Sequence, residues 1–254
     1  MSNTLPERLK EGAKRFLQGK NAYLIQYHLR QYLEVYRSTL AFIDFLKRSI
    51  PWQKNLHILD VGCGGGANIY WLRKKFPHWH LEGLDVDADL VEFARFMNPN
   101  VPFHHLDVAH VDRVFPPRAF DYVLAIQFVN FADNLDLETF LKSTLYLAKY
   151  GIAHFSLFSE GWIEQYTYAY DYEEEIFAYP YLIYSIERMK VLVEKYHHKP
   201  FHIQYEPFEI DLDLPKPSKP KFRTYTIRTK DGHRLQVSGY MIMPWYSILI
   251  DLSP

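Results

Sequence analysis

Apolar residues recur along the chain in two periods, and the switch between them outlines the fold. Leu5 to Phe16 and Ala22 to Lys47 carry helical spacing, the second with Leu33, Tyr36, Leu40 and Ile43 along one stripe. Pro51 closes that region. Leu56 to Val61 is instead a short, nearly unbroken apolar run, the pattern of a strand covered on both faces. A helix over Asn68 to Phe76 follows, stopped by Pro77, and then a strand over Leu81 to Val86. Asp87 caps a helix to Met97, and Val101 to Val108 reads as a third strand. Tyr122 to Ile126 predicts a fourth. Asp136 caps a helix to Lys149 with Gly151 as its stop, and Ile152 to Phe158 predicts a fifth strand.

This alternation predicts an α/β fold, a doubly wound and mostly parallel sheet with helices on both faces. Beyond Ser159 the rhythm changes. Trp162 to Tyr181 is a Tyr-rich, acidic insertion without a clear period. Pro180 suits the first turn of a helix reaching His198, and Phe201 to Ile210 is strand-like. Pro215 to Pro220 (PKPSKP) reads as an extended linker. Thr224 to Thr229 and Arg234 to Ser238 flank Lys230-Asp231-Gly232-His233, a small hairpin, and Met241 to Ile250 gives a last strand. No break divides the chain. It is expected to form one domain, with a helical cap over 1–50, a core over 55–158 and a substrate-side region over 160–254.

Composition narrows the class. The 254 residues are 48% hydrophobic, enough for one sizeable core, and the net charge of −1 steers the molecule towards neither nucleic acid nor anionic lipid. The basic positions Lys216, Lys219, Lys221, Arg223 and Arg228 read as a solvated linker and hairpin edge rather than a nucleic-acid arm. The single cysteine, Cys63, excludes an intramolecular disulfide and a Cys-rich zinc site. No His or carboxylate spacing suggests a metal. The charged N-terminus lacks a signal peptide's apolar run, and the longest apolar stretch is too short to span a bilayer, so a cytoplasmic protein is expected. Aromatic residues make up 17%, including 20 tyrosines, which suits a large core or an aromatic-lined pocket.

The candidate chemistry begins where the first strand ends, in Gly62-Cys63-Gly64-Gly65-Gly66. Glycines between a strand and a helix permit positive φ and close ligand approach. Gly62, Gly64 and Ala67 also satisfy GxGxxA, so an NAD-dependent oxidoreductase is one reading. Asp60 argues against it, because its carboxylate repels a pyrophosphate and welcomes an ammonium. S-adenosylmethionine carries an ammonium and a sulfonium and no phosphate. Asp85, ending the second strand, can accept two hydrogen bonds from a ribose diol in either cofactor.

The run LDVGCGGG resembles motif I of the class I S-adenosylmethionine-dependent methyltransferases, in their small-molecule branch. The resemblance implies a seven-stranded Rossmann-like sheet with an antiparallel C-terminal strand. It implies that Asp60, Gly62 and Gly64 bind the cofactor, that Asp85 holds its ribose, and that Val86 packs on its adenine. Asp107 then accepts the adenine amino group, and Val108 beside it at the third strand end is a further cofactor contact. Phe120 to Gln127 resembles motif IV, which places Gln127 near the methionine half. No Asn/Asp-Pro-Pro-Tyr run follows, which disfavours exocyclic amino groups of bases or glutamine as acceptors.

Methyl transfer needs alignment and water exclusion more than acid–base groups. The acceptor belongs outside the strand carboxyl ends, where Asn130, Glu160 and Trp162 are candidate contacts. The resemblance also folds the N-terminal helices over this opening. Tyr27 then meets substrate, Arg30 the cofactor carboxylate, and His28 is a candidate base. His154, mid-strand, reads as a hydrogen-bonded core histidine. The expected function is methylation of a small-molecule hydroxyl or amine, a sugar or natural-product intermediate, with the insertion as a lid. The competing readings are the NAD enzyme and a methyltransferase-like partner module without catalysis.

Overall fold

The computed structural model describes residues 4–18, 22–130, 135–171, 176–213, 224–238 and 241–253. Three helices open it: α1 (Leu5–Phe16), α2 (Ala22–Leu33) and α3 (Arg37–Ser49). The single long helix expected over Ala22 to Lys47 breaks at Glu34 to Tyr36. Packing decides this break: α2 sends Ile25, Leu29 and Tyr32 against α4 (Ala67–Lys75) and α5 (Ala88–Met97), whereas α3 buries Phe42 and Leu46 against the sheet. One straight rod cannot serve both surfaces.

The sheet begins with β1 (His57–Val61), β2 (His80–Asp85) and β3 (Phe103–His105), and continues with β4 (Phe120–Ile126) and β5 (Ala148–Ser159). Helix α6 (Leu137–Leu147) joins the last two. After them come β6 (Gln165–Asp171), β7 (Ile176–Ser185), α7 (Ile186–Tyr196), β8 (His202–Pro207), β9 (Thr224–Arg228), β10 (Arg234–Ser238), β11 (Met241–Ile242) and β12 (Trp245–Asp251). The main path runs β3-β2-β1-β4-β5-β12-β8, seven strands with the first five parallel and β12 antiparallel to both of its neighbours. Alternation along β1 sends Ile58 to a core roofed by α3 and α4, and Leu59 and Val61 to a core roofed by α6 and α7. The sheet is thus doubly wound, as expected. The hairpin around Gly232 (φ +92°) forms as expected too, and β11 extends it to three strands.

Four expectations are corrected. The third strand keeps only Phe103–His105, because Asp107 caps a 3-10 turn over Val108–Arg113. Gly151 does not stop α6. It lies inside β5, where an added Cβ would stand 2.7 Å from the Ile250 carbonyl oxygen. Pro180 opens no helix but sits in β7, opposite a register shift against β6 and before β7 meets β5 at Tyr184, where a missing N–H breaks no ladder. Helix α7 starts instead at Ser185, whose hydroxyl accepts from the Arg188 amide at 3.1 Å. The final strand divides at Pro244 into β11 and β12. The linker 215–220 lies outside the described residues.

Candidate cofactor and substrate site

The loop after β1 takes its shape from glycine. Gly62, Gly64 and Gly66 have φ of +69°, +51° and +77°, a region costly for any residue with a Cβ. The amides of Gly62 and Cys63 both donate to the Leu84 carbonyl, at 2.8 and 3.0 Å, and the Gly64 amide donates to Asp85 at 2.8 Å. Two rings rest on this backbone. A Cβ at Gly62 would stand 2.0 Å from the Phe128 ring, and one at Gly64 would stand 2.6 Å from His28. Tyr32 ties α2 to the loop by donating to the Gly65 carbonyl at 2.6 Å, and Asn98 donates to the Tyr32 hydroxyl at 2.6 Å.

Of the three acids, Asp60 is the most unusual. It is 1% exposed, and neither carboxyl oxygen has a hydrogen-bond partner among the described residues. Burial, and secondarily the Asp85 charge, pushes its pKa up to about 8. A lone buried carboxyl costs free energy until a cation reaches it. Asp85 is partnered: its oxygens accept from the Gly64 amide and from the Asp87 amide at 2.9 Å, while burial raises its pKa. Each carboxylate oxygen retains a second lone pair for a diol. Asp107 is exposed and caps the Ala109 amide at 2.9 Å. Val86, 63% exposed, offers the apolar surface expected beside an adenine. Val108 does not: its side chain is buried among Leu59, Val61 and Val111.

Helix α2 has two working faces. His28 lies on the glycine loop, with Nδ1 2.9 Å from the Gln31 side-chain oxygen. If Nδ1 carries the hydrogen, it donates to Gln31 and leaves the Nε2 lone pair open. Burial is the main cause holding the ring's pKa below the usual 6.5, so the ring is neutral at pH 7. Tyr27 and Arg30, on another face, line a cavity of about 840 Å³ together with Gln127, Phe155, Phe208 and Trp245. Gln127 bends the chain there with φ of +56°, an uncommon conformation for a residue with a side chain, and its amide donates to the Phe155 carbonyl at 2.8 Å.

Three expected substrate contacts fall elsewhere. Asn130 is fully buried; its amide donates to the carbonyls of Leu157 (2.9 Å) and Leu182 and accepts from the Leu157 amide at 2.7 Å. That clamp uses the side chain up. Glu160 accepts from the Tyr246 hydroxyl at 2.8 Å, and Trp162 is 70% exposed; neither lines the cavity. His154 is in the core, but both ring nitrogens lack partners among the described residues, and burial lowers its pKa to about 3. Sequence reasoning missed the half-buried Phe128 and the buried Phe155 and Trp245, since aromatic rings packed inside a fold carry no spacing signal of their own. Among the described residues, no His, Cys, Asp and Glu group could hold a metal.

The comparisons agree with this geometry. Residues 58–151 match the family model described as a methyltransferase domain, spanning β1 through the start of β5. Over this segment, 94 of the 254 residues, the chain is similar to a methyltransferase domain. Trans-aconitate 2-methyltransferase of Acidovorax sp. (strain JS42) is 42% identical over 53 residues, covering 21% of this chain and 20% of the relative. The dTDP-3-amino-3,6-dideoxy-alpha-D-glucopyranose N,N-dimethyltransferase of Streptomyces fradiae is 32% identical over 75 residues, 30% of this chain and 28% of that protein. The matches thus span under a third of these curated relatives. A solved Thermotoga maritima S-adenosylmethionine-dependent methyltransferase, described as a possible histamine N-methyltransferase, shares the fold at 15% identity. It aligns with a TM-score of 0.54 over 91% of this chain and 99% of its own.

The residues present fit such a cofactor. The partnerless Asp60 carboxyl suits its ammonium, Asp85 ends β2 where a ribose diol is expected, and the glycines keep the loop free of Cβ atoms. The methyltransferase domain leaves the NAD reading without support.

Proposed function

We propose that the chain transfers a methyl group from S-adenosylmethionine to a hydroxyl or amine of a small molecule held in the cavity beyond Gln127. The observation that carries this reading is Asp60, a buried carboxyl with no partner beside three positive-φ glycines. The cofactor supplies, when bound, an electrophilic methyl on a sulfonium. Asp60 holds its ammonium, Asp85 accepts from its ribose hydroxyls, and Asp107 and Val86 flank its base. The Phe128 and His28 rings leave the loop to admit it, since both lie on the glycines. Phe155, Phe208 and Trp245 give the acceptor side of the cavity an apolar lining. The aromatic lining suits a ring-shaped sugar or natural-product acceptor. The Streptomyces relative is named for a nucleotide amino sugar. Among the described residues no helix is long and apolar enough to cross a membrane.

Calorimetry with S-adenosylhomocysteine and with NAD tests the cofactor assignment. Binding of the former alone is expected, and binding of NAD alone would sink the proposal. For a hydroxyl acceptor the proposed base is His28, whose ring lies on the glycine loop outside the cavity lining and has to turn towards the acceptor to take its proton at Nε2 as the bond to the methyl forms. His28→Gln is then expected to lower kcat by about 10²- to 10⁴-fold, the usual range for a lost general base. Because the ring's pKa lies below 6.5, wild-type kcat should fall only as pH drops below that value. A variant with the wild-type kcat and pH profile removes His28 as the base.

A further inference from the structure

The two faces of α2 assign different ligands to its side chains. Residues two apart on a helix point roughly 200° away from each other, as follows from about 3.6 residues per turn. His28 rests on Gly64 and Gly65, and its neighbour Gln31 accepts from the Trp71 indole through its carbonyl at 2.8 Å. Arg30 faces the cavity instead, with Tyr27 one turn before it and Glu34 one turn after. Arg30 is exposed at the rim, and its guanidinium has neither an ion pair nor a hydrogen bond among the described residues, with Glu34 just beyond the last residue of α2. The other rim cation is committed: Arg37 donates to the Asp211 carbonyl oxygen. Asp213, on the same rim, is engaged as well.

The same cavity is lined by aromatic rings. Phe155 and Trp245 stack with centroids 5.1 Å apart and planes 1° apart, and Phe208 meets Phe155 edge-on at 5.4 Å. Phe155 is fully buried and holds the other two rings in place, while Phe208 and Trp245 keep a small exposed edge towards the cavity. A guanidinium without a partner at the rim of an aromatic-lined cavity recognises a planar carboxylate through two parallel N–H donors while the body of the ligand enters among the rings.

We propose that the methyl acceptor is a small carboxylate with a planar apolar body, its carboxylate read by Arg30 and its body entering the cavity beside Phe208 and Trp245. This inference rests on the methyltransferase reading for the word acceptor, though not for the binding itself. It moves Arg30 from the cofactor carboxylate to the substrate.

The test pairs acids with neutral amides of the same shape: 3-hydroxybenzoate with 3-hydroxybenzamide, and indole-3-acetate with indole-3-acetamide. Affinities are measured by ligand-observed NMR on the full chain, with and without saturating S-adenosylhomocysteine. Each acid should bind about 10-fold or more tightly than its amide, the discrimination expected of a charge-assisted pair. In Arg30→Gln that ratio should fall to about one, while the S-adenosylhomocysteine affinity and the melting temperature stay at wild-type values. Arg30→Lys should restore part of the ratio. Equal affinity for acid and amide, or binding of neither, overturns the proposal. So does an Arg30→Gln variant whose loss falls on S-adenosylhomocysteine, which returns Arg30 to the cofactor. If the wild type binds no S-adenosylhomocysteine, the methyltransferase reading fails, and the comparison on the ligand-free protein still decides the anion site.

Discussion

Asp60→Asn is expected to weaken S-adenosylhomocysteine binding by about 10²-fold or more, the effect of removing one partner of a buried, charge-assisted pair. The variant keeps the shape of the side chain, and nothing in the described structure bonds to the native carboxyl, so the fold should survive. Stability supplies a second, independent readout. The folded carboxyl titrates near 8, whereas the same group in the unfolded chain titrates near its ordinary 3.8. Between those values the folded state holds a proton that the unfolded state has released. Wild-type stability therefore falls as pH rises through this window, by up to about 1.4 kcal/mol per pH unit. The amide has no such dependence. Urea melts at pH 5 and pH 8 should show Asp60→Asn gaining on the wild type as pH rises. Cofactor binding reverses the ionisation: at about pH 6.5, where an α-amine is charged, docking an ammonium on Asp60 should release about one proton per site. Calorimetry in buffers of different ionisation enthalpy counts it. An unchanged affinity together with a flat pH difference would remove Asp60 from the cofactor site.

Asn130→Ala is expected to be the most damaging single change for stability, at about 3–5 kcal/mol. The native side chain satisfies the Leu157 amide and the carbonyls of Leu157 and Leu182, all from a fully buried position. Alanine leaves those backbone groups unpaired where water cannot easily replace the amide. For a chain of this size the melting temperature should drop by about 10 °C, read by circular dichroism. The clamp joins the turn after β4 to β5 and β7, so the loss should appear as lowered stability and not as a raised KM in the surviving folded fraction. A variant that melts like the wild type but loses substrate affinity would restore Asn130 to the pocket.

The two residues show where sequence reading succeeds and where it stops. Asp60 was legible because its meaning is local: a carboxylate two positions before a glycine loop, at the end of an apolar run, meets whatever sits on that loop. Asp87 and Asp136 were legible for the same reason, each bonding amides two or three residues ahead. Asn130 looked like a substrate contact because it follows a strand end. Its actual partners lie 27 and 52 residues away, and no local pattern announces such a bond. Likewise the aromatic lining joins Phe155 of β5 to Trp245 of β12, neighbours only because β12 enters the sheet antiparallel to β5.

The sequence by itself therefore determined the alternating core, the glycine loop and the acids at the strand ends, since these follow from periodicity and from contacts a few residues long. Only the tertiary structure decided the break between α2 and α3, the β-hairpin in the Tyr-rich insertion, the two faces of α2 and the residues lining the cavity. Those depend on which surfaces must be buried against one another, and that choice is made by the whole chain at once.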